Sequence, residues 1–154
     1  MIVVDASVLV PALADDGEDG DRARDRLVGE RLAAPELIDL EVPSVLRRLA
    51  AAGRLPPRRA QQALSDLVAL PLRRVPHRPL LPRCWSLREN LTVYDASYVA
   101  LAELLGTAVL TADGRLAGAP GVRCPVEVVA NPRRGAPATR PLAPEDPGGV
   151  RRDR

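Results

Sequence analysis

The sequence predicts an α/β domain, a three-layer α/β/α sandwich around a central parallel sheet. Short apolar runs alternate with longer segments of helical spacing as far as residue 129, the pattern of strands joined by helical crossovers. The first run, residues 2–4, is wholly apolar and β-branched, as expected of a parallel strand buried on both faces. The third observation is size. At 154 residues and 46% hydrophobic content, the chain holds one ordinary domain whose core needs neither disulfide nor metal.

Asp5 ends the first strand, and Ser7 is placed to cap a helix with Val8, Leu9, Ala12 and Leu13 on its inner face. Residues 15–21, rich in glycine and acids, read as a solvated loop. Residues 22–32 read as an amphipathic helix with Ala23, Leu27 and Val28 inward. Residues 33–35 are either a very short strand or a turn. Helical spacing resumes over 36–52 through Leu37, Leu40, Val45 and Leu49, where Pro43 is expected to kink the helix or start a second piece. Gly53 suits the C-terminal end, and Pro56-Pro57 open a helix over 58–70 with Ala60, Ala63, Leu64, Leu67 and Val68 inward. A strand at 72–75 and a helix at 80–89 follow, the latter with Leu81, Cys84, Trp85 and Arg88 at helical spacing. Asp95 then stands at the mouth of a helix whose face is Val99, Ala100, Ala102 and Leu105 and which Gly106 ends. A strand at 107–110 runs toward Asp113. A Gly-rich loop at 114–121 and a last strand at 126–129 complete the folded body, residues 1–130. Residues 131–154, dominated by Arg, Pro and Gly without periodicity, are expected to be a disordered tail, because they bury too little apolar surface to offset ordering entropy.

Charge says little about partners. The tail carries six of the 22 basic residues and three of the 20 acids, which leaves the body with 16 basic against 17 acidic residues. Every basic residue is Arg. The core must be aliphatic, since there is no Phe, one Trp and two Tyr. That scarcity counts against a single-strand binder built on aromatic stacking platforms. Cys84 and Cys124 are far apart and outside any CxxC pattern, so they read as reduced thiols, and with a single His they make a zinc site improbable. There is no 18-residue apolar run and no basic region at the N-terminus, so no membrane contact is expected and the compartment expected is the cytoplasm.

The chemistry lies in four acids. Asp5 follows the first strand and Asp113 the fourth, while Asp95 opens a helix, and carboxyl ends of parallel strands share one edge of a sheet. Glu41 sits between Leu40 and Val42, where an acid calls for a partner such as Arg47 or Arg48, or for a metal. Each has a plainer reading: Asp5 and Asp95 as helix caps, Asp113 as a turn residue before Gly114. Carboxylates gathered without a cation repel one another, a cost better explained by chemistry than by packing. Oxygen donors from separate segments suit Mg²⁺ or Mn²⁺, and one or two such ions activate water against phosphorus.

In their order and spacing, MIVVDASVLV, LIDLEVPSVLRRL, TVYDASYVALAELLG and AVLTADGRLA resemble the PIN-domain family, and within it the VapC-type toxin ribonucleases of bacterial toxin–antitoxin pairs. The resemblance covers most of residues 1–130. It implies a PIN-like sandwich and Mg²⁺- or Mn²⁺-dependent endonucleolytic cleavage of RNA. It implies that Asp5, Glu41, Asp95 and Asp113 are the metal-binding and catalytic acids, with Ser7 and Thr111 orienting carboxylates or water. It also implies a homodimer and a cognate antitoxin that blocks the acid cluster, often with a basic side chain. Pro43, where the family usually continues its helix, is a departure that bears on the placement of Glu41. By position, Arg115 is the basic residue best placed to touch RNA, since phosphate contacts need cations. His77, between Val75-Pro76 and Arg78-Pro79, reads as an exposed loop histidine, and Trp85 as a packing residue. Two phosphotransfer rivals fail. The receiver type needs a late lysine, and the haloacid-dehalogenase type needs an Asp where Ser7 stands. A non-catalytic alternative remains, a catalytically weak PIN-like dimerising or binding module.

Overall fold

The structure, a computed structural model, describes residues 1–129; the expected tail at 131–154 lies outside the described residues. Five parallel strands form one sheet in the order β3-β2-β1-β4-β5. They are β1 (Ile2–Val4), β2 (Leu32–Pro35), β3 (Leu72–Val75), β4 (Val109–Thr111) and β5 (Val126–Val128). The three middle strands are buried at every residue, which is why they are built mostly of Val, Leu, Ile and Ala, whereas β3 and β5 are partly exposed edges. The short 33–35 segment is thus a strand, pairing Leu32 with Ile2 on one side and with Leu72 on the other.

Helices α1 (Ala6–Ala14), α2 (Glu18–Leu27), α3 (Ile38–Ala51) and α4 (Pro57–Ala69) pack on one another, while α5 (Leu81–Ser86) packs on α6 (Val93–Leu105). Right-handed crossovers account for the division. The chain steps one way from β1 to β3 and the opposite way from β3 to β4 and β5, so the two sets of helices fall on opposite faces of the sheet. In α6, every residue from Ala96 to Ala102 is buried. Its middle is therefore enclosed on all sides, and does not have the single apolar face its spacing suggested. Gly106 ends it in the left-handed region, at φ 62°.

Several local expectations are corrected. Asp5, not Ser7, caps α1. Helix α2 starts at Glu18, inside the expected loop, because Glu18, Asp19 and Asp21 meet the positive end of its dipole. Gly20 is there for close approach: a Cβ would lie 1.8 Å from the Asp15 carbonyl oxygen. Arg24 closes the junction by donating to the carbonyls of Ala12 and Asp15. Pro43 does not end its helix. Helix α3 runs through it, fixed by the buried Ile38, Val42 and Leu46, and α1 likewise runs through Pro11 at the equivalent sixth position. Val28 and Val68 are exposed, and so is Trp85, over whose ring the Arg88 guanidinium lies at 5.0 Å. The Gly-rich loop contains a one-turn helix, α7 (Gly114–Ala117). Among the described residues, no helix is long and apolar enough to cross a membrane.

Candidate active site

The chain leaves β1 toward β2 and returns on β1's other side as β4, so the crevice beyond the ends of β1 and β4 is the topological switch point where α/β sheets hold ligands. A cleft of about 210 Å³ opens there, lined by Asp5, Thr92, Asp95, Thr111, Asp113 and Arg115 on its polar side and by Asn90, Leu91 and Leu116.

Asp5 is held by hydroxyls from two segments. Its Oδ1 accepts from the Ser7 amide at 3.1 Å, and its Oδ2 from the Ser7 hydroxyl at 3.0 Å and the Thr111 hydroxyl at 2.6 Å. The two hydroxyls also accept: Ser7 Oγ from the Ala112 amide at 2.8 Å, and Thr111 Oγ1 from the Asp113 amide at 3.0 Å. This lattice of short polar side chains ties the end of β1 to the end of β4 and fixes where the Asp5 carboxylate sits. Thr111 is completely buried, so each of its bonds replaces a lost contact with water.

Asp95 occupies the third position of α6. Thr92 caps the helix by accepting from the Asp95 amide at 3.1 Å, and its hydroxyl donates to Asp95 Oδ2 at 2.7 Å. The Thr92 hydroxyl thus caps the helix and orients the Asp95 carboxylate, which lines the cleft. Asp113 caps α7 through the Arg115 amide, and the Arg115 guanidinium forks onto both its oxygens at 2.6–3.1 Å. Arg115 lines the cleft with an almost fully exposed side chain.

Glu41 reaches the group from α3. Neither Arg47 nor Arg48 meets it. Its partner is Tyr98 on α6, whose hydroxyl donates to Glu41 Oε2 at 2.5 Å. Burial raises the Glu41 pKa, the Tyr98 bond pulls it back, and the negative charges of Asp5 and Asp95 push it up again. Tyr98 is itself raised, first by burial and then by donating to the carboxylate, so it remains a phenol donor. Glu41 is not among the residues lining the cleft, yet it feels two acids that are.

All seven residues singled out from the sequence are therefore placed. Asp5, Asp95, Asp113, Thr111 and Arg115 meet in one cleft; Ser7 braces Asp5; Glu41 stands within their field. Among the described residues, no three acid, His or Cys side chains are posed as a ready coordination shell. Each carboxylate is turned to its own donor: Asp5 to the hydroxyls, Asp95 to Thr92, Asp113 to Arg115, Glu41 to Tyr98. The donor set nonetheless fits a hard divalent cation. It is all oxygen, and it comes from separate segments. Tyr98 and His77 escaped the sequence reading. Tyr98 has the spacing of a core residue, and its partner lies 57 positions away. His77 is half-buried, and its Nε2 accepts from the Leu37 amide at 3.0 Å, so it is not a free loop histidine.

The profile of the PIN domain matches residues 2–122. Ribonuclease VapC9 of Mycobacterium tuberculosis is 46% identical over 129 residues, which span 84% of this chain and 98% of that protein. Ribonuclease VapC1 of the same organism is 43% identical over 128 residues, 82% of this chain and 96% of that protein. Among solved structures, PAE2754 from Pyrobaculum aerophilum superposes with a TM-score of 0.60 at 25% identity, covering 82% of this chain and 83% of that one.

Proposed function

The chain belongs to the PIN-domain family, and from that premise we infer that it is an endoribonuclease of the VapC type, the toxin of a bacterial toxin–antitoxin pair. The observation that carries this reading is the joining of Asp5, Asp95 and Asp113 in one cleft at the β1–β4 switch point, with Glu41 in their field. Near-full-length similarity to proteins named as VapC ribonucleases supports it. Asp5, Glu41, Asp95 and Asp113 are the residues that would hold Mg²⁺ or Mn²⁺. Bound there, the cation supplies positive charge that acidifies a water and offsets the charge of the scissile phosphate.

The chain's own residues do the rest. Ser7 and Thr111 hold the Asp5 carboxylate in a single orientation from two strands. Tyr98 orients Glu41, and Thr92 orients Asp95. Arg115 is a long cation at the cleft's edge whose almost fully exposed guanidinium can exchange Asp113 for an RNA phosphate. Water attacks the phosphorus and a ribose oxygen leaves. A cognate antitoxin that presents a basic side chain to the same acids blocks the site, and the protein acts as a homodimer in the cytoplasm. Incubation with RNA across a Mg²⁺ or Mn²⁺ titration, with a chelator control, tests the reading. Cleavage that appears with metal and vanishes in Asp95→Asn is the expected result. Stable folding and metal binding without cleavage would favour a catalytically weak binding module instead.

A further inference from the structure

The first turn of α3 holds both Asp39 and Glu41, yet its start has no cap of its own. Leu37 stands at the capping position, with no oxygen in its side chain, and no side-chain cap is made within the segment. Glu36, just before it, carries an exposed carboxylate that makes no cap bond to the leading amides. The leading amides of a helix need partners from somewhere.

They come from the far end of β3. Strand β2 pairs with β3 in parallel, with Pro35 opposite Val75. Two residues further on, Leu37 and His77 therefore stand side by side. The Glu36 amide donates to the Val75 carbonyl at 3.0 Å, and the Leu37 amide donates to His77 Nε2 at 3.0 Å. One residue before Val75, Arg74 Nε donates to both oxygens of Asp39, at 2.7 and 3.0 Å. The first turn of α3 is thus held in place from outside, by three successive contacts from one short stretch.

His77 also works in the other direction. Its carbonyl accepts from the Leu80 amide at 2.8 Å and the Leu81 amide at 3.2 Å, which starts the 3-10 turn Arg78–Leu80 and then α5. Helix α5 packs on α6, the helix that carries Asp95 and Tyr98. The imidazole therefore fixes the helix that carries Glu41, while the same residue's backbone begins the layer that carries Asp95 and the phenol bound to Glu41. Pro76 and Pro79 on either side limit the backbone freedom of this joint.

We propose that His77 is a positioning residue for the acid cluster: a neutral imidazole, protonated on Nδ1, whose Nε2 caps α3 and sets Glu41 against Tyr98 and Asp95. Accepting an amide hydrogen requires the lone pair on Nε2, so only that tautomer serves. The inference rests on the metal-dependent nuclease reading, since it concerns how well the four acids meet a cation.

The test compares His77→Leu, which fills the space without an acceptor, with His77→Gln, whose amide oxygen reaches the place of Nε2. Mn²⁺ affinity by titration calorimetry is measured beside melting temperature and RNA cleavage. Outer residues that orient metal ligands typically change affinity by 10–100-fold, and about tenfold weakening is expected for His77→Leu, with most of the loss recovered in His77→Gln. Wild-type Mn²⁺ affinity in His77→Leu would overturn the proposal. So would equal losses in both variants, which would show that the ring's packing matters and its acceptor does not. If His77→Leu fails to fold, His77→Gln decides alone: near-native affinity supports the cap, and a tenfold loss refutes it. A wild-type protein that binds no Mn²⁺ would sink the nuclease reading itself, and this inference with it.

Discussion

Asp5 and Glu41 belong to one acidic group but are held in opposite ways. At the β1–β4 edge, Asp5 receives three hydrogen bonds from Ser7 and Thr111, and those hydroxyls are held in turn by the Ala112 and Asp113 amides. At the α3–α6 junction, Glu41 has one phenol donor, is half-buried, and is pushed toward its protonated form by burial and by its neighbours' charge. The first environment is organised for a carboxylate. The second holds one against burial and against the charge of its neighbours. The contrast teaches that the strand edge supplies rigidity, while the helix pair places a carboxylate whose charge is less well offset.

Removing the rigid half has the largest expected effect. Asp5→Asn keeps a competent helix cap but loses the charge, and cleavage should fall by on the order of a hundred- to a thousandfold. The fold should survive, with a loss of about 1 kcal/mol measurable by denaturant titration, because the hydroxyls can turn to new partners. Tyr98→Phe strikes the other half. Losing a donor to a partly buried acid should cost about 1–3 kcal/mol of stability. Since the Tyr98 bond lowers the Glu41 pKa, its removal raises that pKa further. The acid limb of the pH–cleavage profile should then move to higher pH, as Glu41 must be ionised to serve a cation.

The sign of the stability effect follows from the same shift. A carboxyl raised in the folded state contributes stability below its unfolded pKa and loses it as pH rises through the folded value. Near neutral pH the metal-free protein therefore bears the cost of that raised pKa, and Mn²⁺ should raise its melting temperature more than that of Glu41→Gln.

Much of this contrast was legible in the sequence, and the reasons differ by residue. Asp5 and Asp113 could be found because they follow apolar strands, and Asp95 because it opens a helix; those positions converge in any parallel sheet. Glu41 stood out as an acid among apolar neighbours. Its partner did not, because Tyr98 lies in a stretch buried all round, where one phenol oxygen leaves no mark on periodicity. His77 was hidden likewise: its role depends on the Pro35–Val75 register, a long-range fact. The start of α2 was missed because three acids and a glycine look like a loop until the helix dipole and the Asp15 carbonyl are both in view.

Smaller effects sharpen the comparison further. Arg115→Gln removes a cation that sits on Asp113 in the metal-free protein. Mn²⁺ affinity should rise by about two- to fivefold, the worth of an exposed pair, with melting unchanged; RNA affinity should fall as the salt-dependent phosphate contact is lost. Pro43→Ala should change cleavage least. It restores an amide within a helix that already continues through the position, so the melting temperature should rise while cleavage stays as it was.

Diffraction from crystals soaked in Mn²⁺, with the ion located by its anomalous signal, bears most directly on the central claim. The account predicts a peak in the β1–β4 cleft, with carboxylate oxygens of Asp5, Asp95 and Asp113 or Glu41 turned from their present donors to within about 2.2 Å of it. An ion bound elsewhere, or a cleft in which Asp113 keeps Arg115 and Asp95 keeps Thr92 at saturating Mn²⁺, would contradict it.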